Sequence, residues 1–271
     1  MLSLKPIILG FKKRSYKIEK RFRLVIAVGI LTGIMTISTF LYFNSAFIFI
    51  PLFIILSYFL TFFCLLDDIE HVGWFGFFFM PIAISVSFYL FYFLFPSRWL
   101  TRLPFIMLYS ISVYAMYLTS NIFNVGVEKN LQLYRAAFSV NFFYQAFVAF
   151  LMSNFIFSLQ LGWVVNAIGI GVFSFLLAFQ LFWSIHLKTY IEKHVLHYAL
   201  LVSIVITQLA LIVSFIPLKS AIYALFLTAS YYSLSGLIYH HLNQRLFKET
   251  MREYVVVWIF VLILTILSIS W

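Results

Sequence analysis

Four side chains able to bind a divalent cation crowd into five residues: Asp67, Asp68, Glu70 and His71. Two adjacent carboxylates with a third close behind offer hard oxygen ligands that could hold magnesium against a diphosphate. Farther along, His194 and His197 are three apart, so on a helix both imidazoles share a face and could reach one ion. His240, His241 and a carboxylate such as Glu192 could complete its shell. Both are spacings, not signatures. Asp67, Asp68, Glu70, His194, His197, His240 and His241 would form the ligand set of the alternative reading, a metal-dependent membrane enzyme with its site at the cytoplasmic face, and only that reading calls for a cofactor, a divalent metal.

A second set is neutral: Asn141, Gln145 and Asn154 in one apolar run, Asn166 and Gln180 in the next, and Gln208 in the one after. Asn141 and Gln145, four apart, share a helix face, while Gly162, Asn166 and Gly169 form another that is small and polar. Such groups either join helices through amide hydrogen bonds, at about 0.6 kcal/mol each inside a membrane, or line a polar pocket for a lipid headgroup or solute.

The elements that carry these residues follow from composition. The chain of 271 residues is 64% hydrophobic and 10% charged, with 35 Phe, where soluble domains hold roughly 25% charge. Nine apolar runs each approach the ~20 residues a helix needs to cross about 30 Å of hydrocarbon. They span 24–42, 46–66, 73–95, 103–123, 136–157, 161–184, 195–216, 219–239 and 254–271. Lipid offers no partner for free backbone groups, and the runs lack the alternation of a membrane barrel, so the expected fold is all-α: a polytopic transmembrane bundle of about nine helices. Short hairpins are expected around Asn44, Gln160 and Pro217. At the last of these the alternative is a kink in one re-entrant segment.

Orientation follows from Lys and Arg, which are retained on the cytoplasmic side during insertion. Fifteen fall in the first, third, fifth and later alternate gaps, eight of them in the first 23 residues. Three fall on the other side: Arg98, Arg102 and Lys219. The N-terminus is therefore expected in the cytoplasm and Trp271 at the outer face. The first 23 residues form a separate basic segment, and 24–271 a single transmembrane domain. Residues 7–23 could lie along the interface, with Lys and Arg on anionic lipid headgroups. The whole chain is expected in the bilayer of a prokaryotic cytoplasmic membrane. The same alternation puts every acid and every histidine on the cytoplasmic face, which disfavours catalysis on outer-face substrates.

The loop Asp67-Asp68-Ile69-Glu70-His71 resembles the aspartate-rich diphosphate motif of membrane prenyltransferases in its first positions. Its third acid is glutamate, however, and no second aspartate-rich loop follows. His194 and His197 with His240-His241 resemble the histidine boxes of membrane desaturases and hydroxylases, which use more histidines in a denser pattern. Neither activity is carried over. The chain has no Walker motif, no nucleophile elbow and no His-Glu-x-x-His. Its positive charge is needed for orientation, which argues against nucleic acid as a partner. The lone Cys64 can form no disulfide within the chain and reads as packing. The stretch from His240 to Glu253 is amphipathic enough for a short helix docking on the membrane surface or a partner subunit. The leading expectation is a non-enzymatic membrane protein that handles a lipid or hydrophobic solute, or serves as the membrane subunit of a larger assembly.

Overall fold

The computed structural model describes residues 19–41, 46–65, 74–95, 99–125, 131–187, 190–244 and 246–269. Among them all regular structure is helical: α1 Lys20–Ser38, α2 Ala46–Leu65, α3 Trp74–Tyr92, α4 Trp99–Val125, α5 Leu131–Ser158, α6 Trp163–His186, α7 Lys193–Val213, α8 Ser220–Leu242 and α9 Lys248–Leu267. Eight are long and apolar enough to cross a membrane; the apolar stretch of α3, Gly76–Tyr92, is shorter.

Each apolar run forms one helix, but several helices outrun their apolar stretch. Here α4 starts at Trp99, α5 at Leu131 and α9 at Lys248. Hydropathy stops where charge begins, whereas helix propensity does not: Gln, Leu, Arg, Lys, Glu and Met are all good helix formers. The stretch from His240 to Glu253, expected as a short docking helix, is instead divided between the end of α8 at Leu242 and the start of α9 at Lys248, where Glu249 in the first turn complements the helix dipole. Pro217 separates two helices rather than kinking one. It cannot donate a backbone hydrogen bond and turns Ile216 away from helical geometry, so α7 ends at Val213 and α8 begins at Ser220. Of the expected interfacial segment 7–23, residues up to 18 lie outside the described residues, and Lys20 onward belongs to α1.

Backbone contacts divide the chain into two compact units, Met1–Tyr89 with Pro96–Val140 and Leu90–Phe95 with Asn141–Trp271. In the first, α1 packs on α2 and α4, and α2 on α4. Its centre is Ser85, which accepts from Ser57 Oγ at 3.1 Å and from Tyr109 OH at 3.2 Å, and donates to the Pro81 carbonyl at 2.9 Å. Pro81 has no N–H for the Phe77 carbonyl one turn back, and the Ser120 hydroxyl of α4 donates to that carbonyl instead, at 3.3 Å. A proline inside an apolar helix is tolerated when a neighbour satisfies the carbonyl it strands.

In the second unit α6 lies along α7, and α8 packs on α6, α7 and α9. Two close approaches set these spacings. A Cβ at Gly171 of α6 would overlap the Thr207 hydroxyl of α7, and one at Gly236 of α8 would fall 2.5 Å from Cε1 and Cζ of the Tyr254 ring. Alternate turns meet at opposite ends of this unit. The turns at 159–162 and 214–219 line one cavity. At the other end His186 lies 3.5 Å from Glu192, His241 sits edge-on to Tyr198, and His240 lies against Tyr254.

Candidate functional site

The polar residues of the α5–α6 hairpin sort into two places according to their distance from its turn. Asn141 and Gln180 lie about equally far from that turn on opposite arms, so the antiparallel pairing brings them level. Asn141 Nδ2 donates to Gln180 Oε1 at 3.2 Å, and Gln145 Nε2 donates to the same oxygen. Gln145 Oε1 in turn accepts from Tyr231 OH of α8 at 2.8 Å. All four side chains are buried, so the amides have exchanged water for one another. The network fastens α5 to α6 and α8 with long side chains, and leaves the buried Asn141 Oδ1 unpartnered.

Asn166 sits near the turn and joins a different constellation. It lines a cavity of about 690 Å³ together with Phe157, Ser158, Gln160, Gly162, Trp163, Ser214, Ile216, Leu218, Lys219, Ser220 and Tyr223. Three hydroxyls of the wall are already engaged: Ser158 donates to the Asn154 carbonyl at 2.7 Å, and the Ser214 and Tyr223 hydroxyls, 2.7 Å apart, both reach the Ala210 carbonyl. Asn166 is only 6% exposed, yet its Oδ1 has no hydrogen-bond partner. A buried amide oxygen left without a donor costs on the order of 1–3 kcal/mol. At the rim the Trp163 ring lies 5.6 Å from that of Phe215, both largely exposed.

The backbone around the cavity is shaped by one residue in particular. Gly162, immediately before α6, has φ 96° and ψ 152°, a region closed to side-chain-bearing residues. Neither Gly162 nor Lys219, the residues preceding α6 and α8, supplies a side-chain cap to its helix. The first N–H groups of both helices are therefore left to solvent or to a ligand.

The remaining sequence candidates lie elsewhere. Asn154 is buried on α5 and takes a hydrogen bond from Ser158. Gln208 is on the exposed side of α7. His194 and His197 are exposed at the start of α7, and His240 and His241 stand on the last turn of α8 at the same end of the unit. Asp67, Asp68, Glu70 and His71 lie outside the described residues, and among those described no three His, Cys, Asp or Glu side chains are grouped to hold an ion.

Residues 69–268 match the family described as Protein of unknown function (DUF5656). The chain belongs to that family. No curated protein and no solved structure matches it. The part of this DUF5656 chain that carries the match takes in α3 to α9 whole, and with them both the amide network and the cavity.

Two contributors to this DUF5656 fold were missed in the sequence. Ala229, Ser230, Ser233 and Gly236 form a small-residue stripe on α8 against α9, where Trp258 Nε1 donates to Ser230 Oγ at 2.9 Å and Ser233 Oγ to the Tyr254 carbonyl at 3.2 Å. Its three- and four-residue spacing was the available signal. The other is Lys219, which counts in the sequence as a stray outer-face charge and lies in the cavity wall.

Proposed function

We propose that the chain is a polytopic integral membrane protein whose second unit holds the polar end of a lipid or similar amphiphile in the cavity at the 159–162 and 214–219 turns. The observation that carries this reading is the cavity itself, in whose wall the carboxamide-bearing Asn166 is 6% exposed. Its volume of about 690 Å³ is within the roughly 300–1,000 Å³ of small-molecule sites. Trp163 and Phe215 give the rim an apolar lip suited to the start of a tail. Eight helices long and apolar enough to cross a bilayer support membrane residence. Among the described residues no carboxylate, histidine or cysteine lines the cavity, which favours binding over acid–base or covalent chemistry there.

The Lys and Arg distribution supports a cytoplasmic N-terminus and, counting crossings, an outward-facing cavity. The basic first 23 residues then face the cytoplasm, where anionic headgroups attract them.

The test is to purify the full chain in a neutral detergent, extract what co-purifies, and compare Asn166→Leu with the parent at matched yield. Loss of most of the retained amphiphile, with thermal stability kept or raised, is expected. Identical lipid content in the two preparations would sink the reading.

A further inference from the structure

We infer that the group held in this cavity is an uncharged polyhydroxyl group, a sugar or glycerol moiety, read by the Gln160 carboxamide, the Ser220 hydroxyl and the Trp163 ring. The inference rests on the cavity being a ligand site, and adds the chemistry of what fills it.

The wall leaves few polar side chains uncommitted. Ser158, Ser214 and Tyr223 are tied to main-chain carbonyls, and Asn166 is sealed within the wall. Among the described residues nothing engages the Gln160 carboxamide or the Ser220 hydroxyl, and both line the cavity. Lys219 is the one charged side chain among the described residues of the wall, and it is exposed, so solvent screens its charge. Helices both end and begin at these turns, α5 and α7 ending, α6 and α8 beginning. The partial charges of their termini therefore oppose one another and favour neither sign of ligand. What remains is a neutral surface whose groups both donate and accept. Hydroxyls do the same, and they enter such a site without the desolvation cost of an ion.

Gln160 points to a ligand on separate grounds. Its φ of 51° puts a side-chain-bearing residue in the left-handed region, where the end of a helix ordinarily carries glycine or asparagine. Its N–H bonds the Phe157 carbonyl at 3.2 Å, as that of a glycine would. Glycine would hold this backbone with less strain, so the turn itself gives no reason for glutamine. The carboxamide gives one: with C=O and NH₂ side by side, it accepts from one hydroxyl and donates to the next, the pattern that neighbouring hydroxyls of a sugar present. Trp163 lies largely exposed, 5.6 Å from Phe215, and offers a flat apolar surface to the C–H face of a sugar ring. Ser220 lines the same space from the other hairpin. A glycolipid headgroup and a free sugar share this chemistry. They differ in whether a tail crosses the lip formed by Trp163 and Phe215.

The experiment is native mass spectrometry of the delipidated full chain in a polyoxyethylene detergent, which carries no sugar. It is titrated with monoglucosyl diacylglycerol, diacylglycerol, phosphatidylglycerol or methyl glucoside. The variants are Gln160→Gly, Trp163→Leu, Trp163→Phe, Lys219→Gln and Asn166→Leu. A preference of about tenfold for the glucosyl lipid over the other two lipids is expected, cut about tenfold by Gln160→Gly even though that variant melts no lower than the parent. Trp163→Leu weakens binding similarly, Trp163→Phe keeps most of it, and Lys219→Gln changes nothing. Competition by methyl glucoside at low millimolar concentration supports the polyol and assigns it to a soluble source; a preference that methyl glucoside leaves intact supports it as a glycolipid headgroup. Equal binding of the glucosyl lipid and diacylglycerol, abolished by Asn166→Leu, overturns the polyol while leaving the ligand site standing. A preference for phosphatidylglycerol that Lys219→Gln removes overturns it in favour of an anion. Binding indifferent to every variant overturns both readings. Gln160 is exposed in a turn that glycine suits, so its variant keeps the test readable even if Asn166→Leu alters folding.

Discussion

Tyr231 on α8 donates its hydroxyl to Gln145 on α5 across 2.8 Å, with both side chains sealed from solvent. Gln145 passes the connection on to Gln180 of α6, so one glutamine joins three helices. Removing the phenolic oxygen alone, by Tyr231→Phe, strands Gln145 Oε1. The expected loss is about 1 kcal/mol, near the average for a membrane hydrogen bond plus part of the cost of an orphaned acceptor. Reversible SDS unfolding monitored by circular dichroism checks it, and a variant as stable as the parent would show the bond to be idle.

Glycines at two places should respond oppositely to alanine. At Gly236 a methyl group meets the Tyr254 ring at 2.5 Å, so Gly236→Ala should cost about 1–3 kcal/mol, as overpacking does. At Gly29, where nothing stands within 4 Å, alanine should be neutral or stabilise by up to about 1 kcal/mol through helix propensity. Equal effects at the two sites, in the same unfolding assay, would contradict the packing of α8 on α9.

Gly162→Ala isolates backbone strain from crowding. A Cβ there has nothing within 4 Å, yet φ is 96°. The expected cost is about 1–3 kcal/mol from the backbone alone, accompanied by weaker ligand retention as the start of α6 shifts. Stability and lipid content unchanged from the parent would argue that the turn relaxes freely.

Sidedness can be read with one introduced thiol at a time, because Cys64 is fully buried and should stay silent. On the proposed topology, Lys219→Cys reacts with a membrane-impermeant maleimide in intact cells. Lys193→Cys reacts only after the membrane is opened. The reverse pattern would invert the orientation, and reaction of both in intact cells would deny membrane crossing by α7.

The nine helices among the described residues were legible because each apolar run is bounded by charge, proline or a short polar turn, and Pro217 marked a true break. Helix starts were less legible, since Arg102, Arg135 and Lys248 end an apolar pattern without ending a helix. The amide partnerships were hidden for another reason. Asn141 and Gln145 share a face whatever the fold, but their partner depends on where the hairpin turns, and an antiparallel arm places Gln180 level with them while Asn166 stays near the turn. Lys219 read as a topology marker because a sequence counts charge by side and says nothing of which turns lie together.

The cavity is walled by two separate hairpin turns, with Asn166 on one hairpin and Lys219 on the other. An occupant that touches both works as a clasp. With it in place the α5–α6 and α7–α8 hairpins would be pinned together at this end; without it, helix packing and the more distant Tyr231–Gln145 hydrogen bond limit how far they splay. On the proposed reading occupancy is thereby tied to mechanical stiffness, and what the site binds would also set how freely one end of the bundle can open.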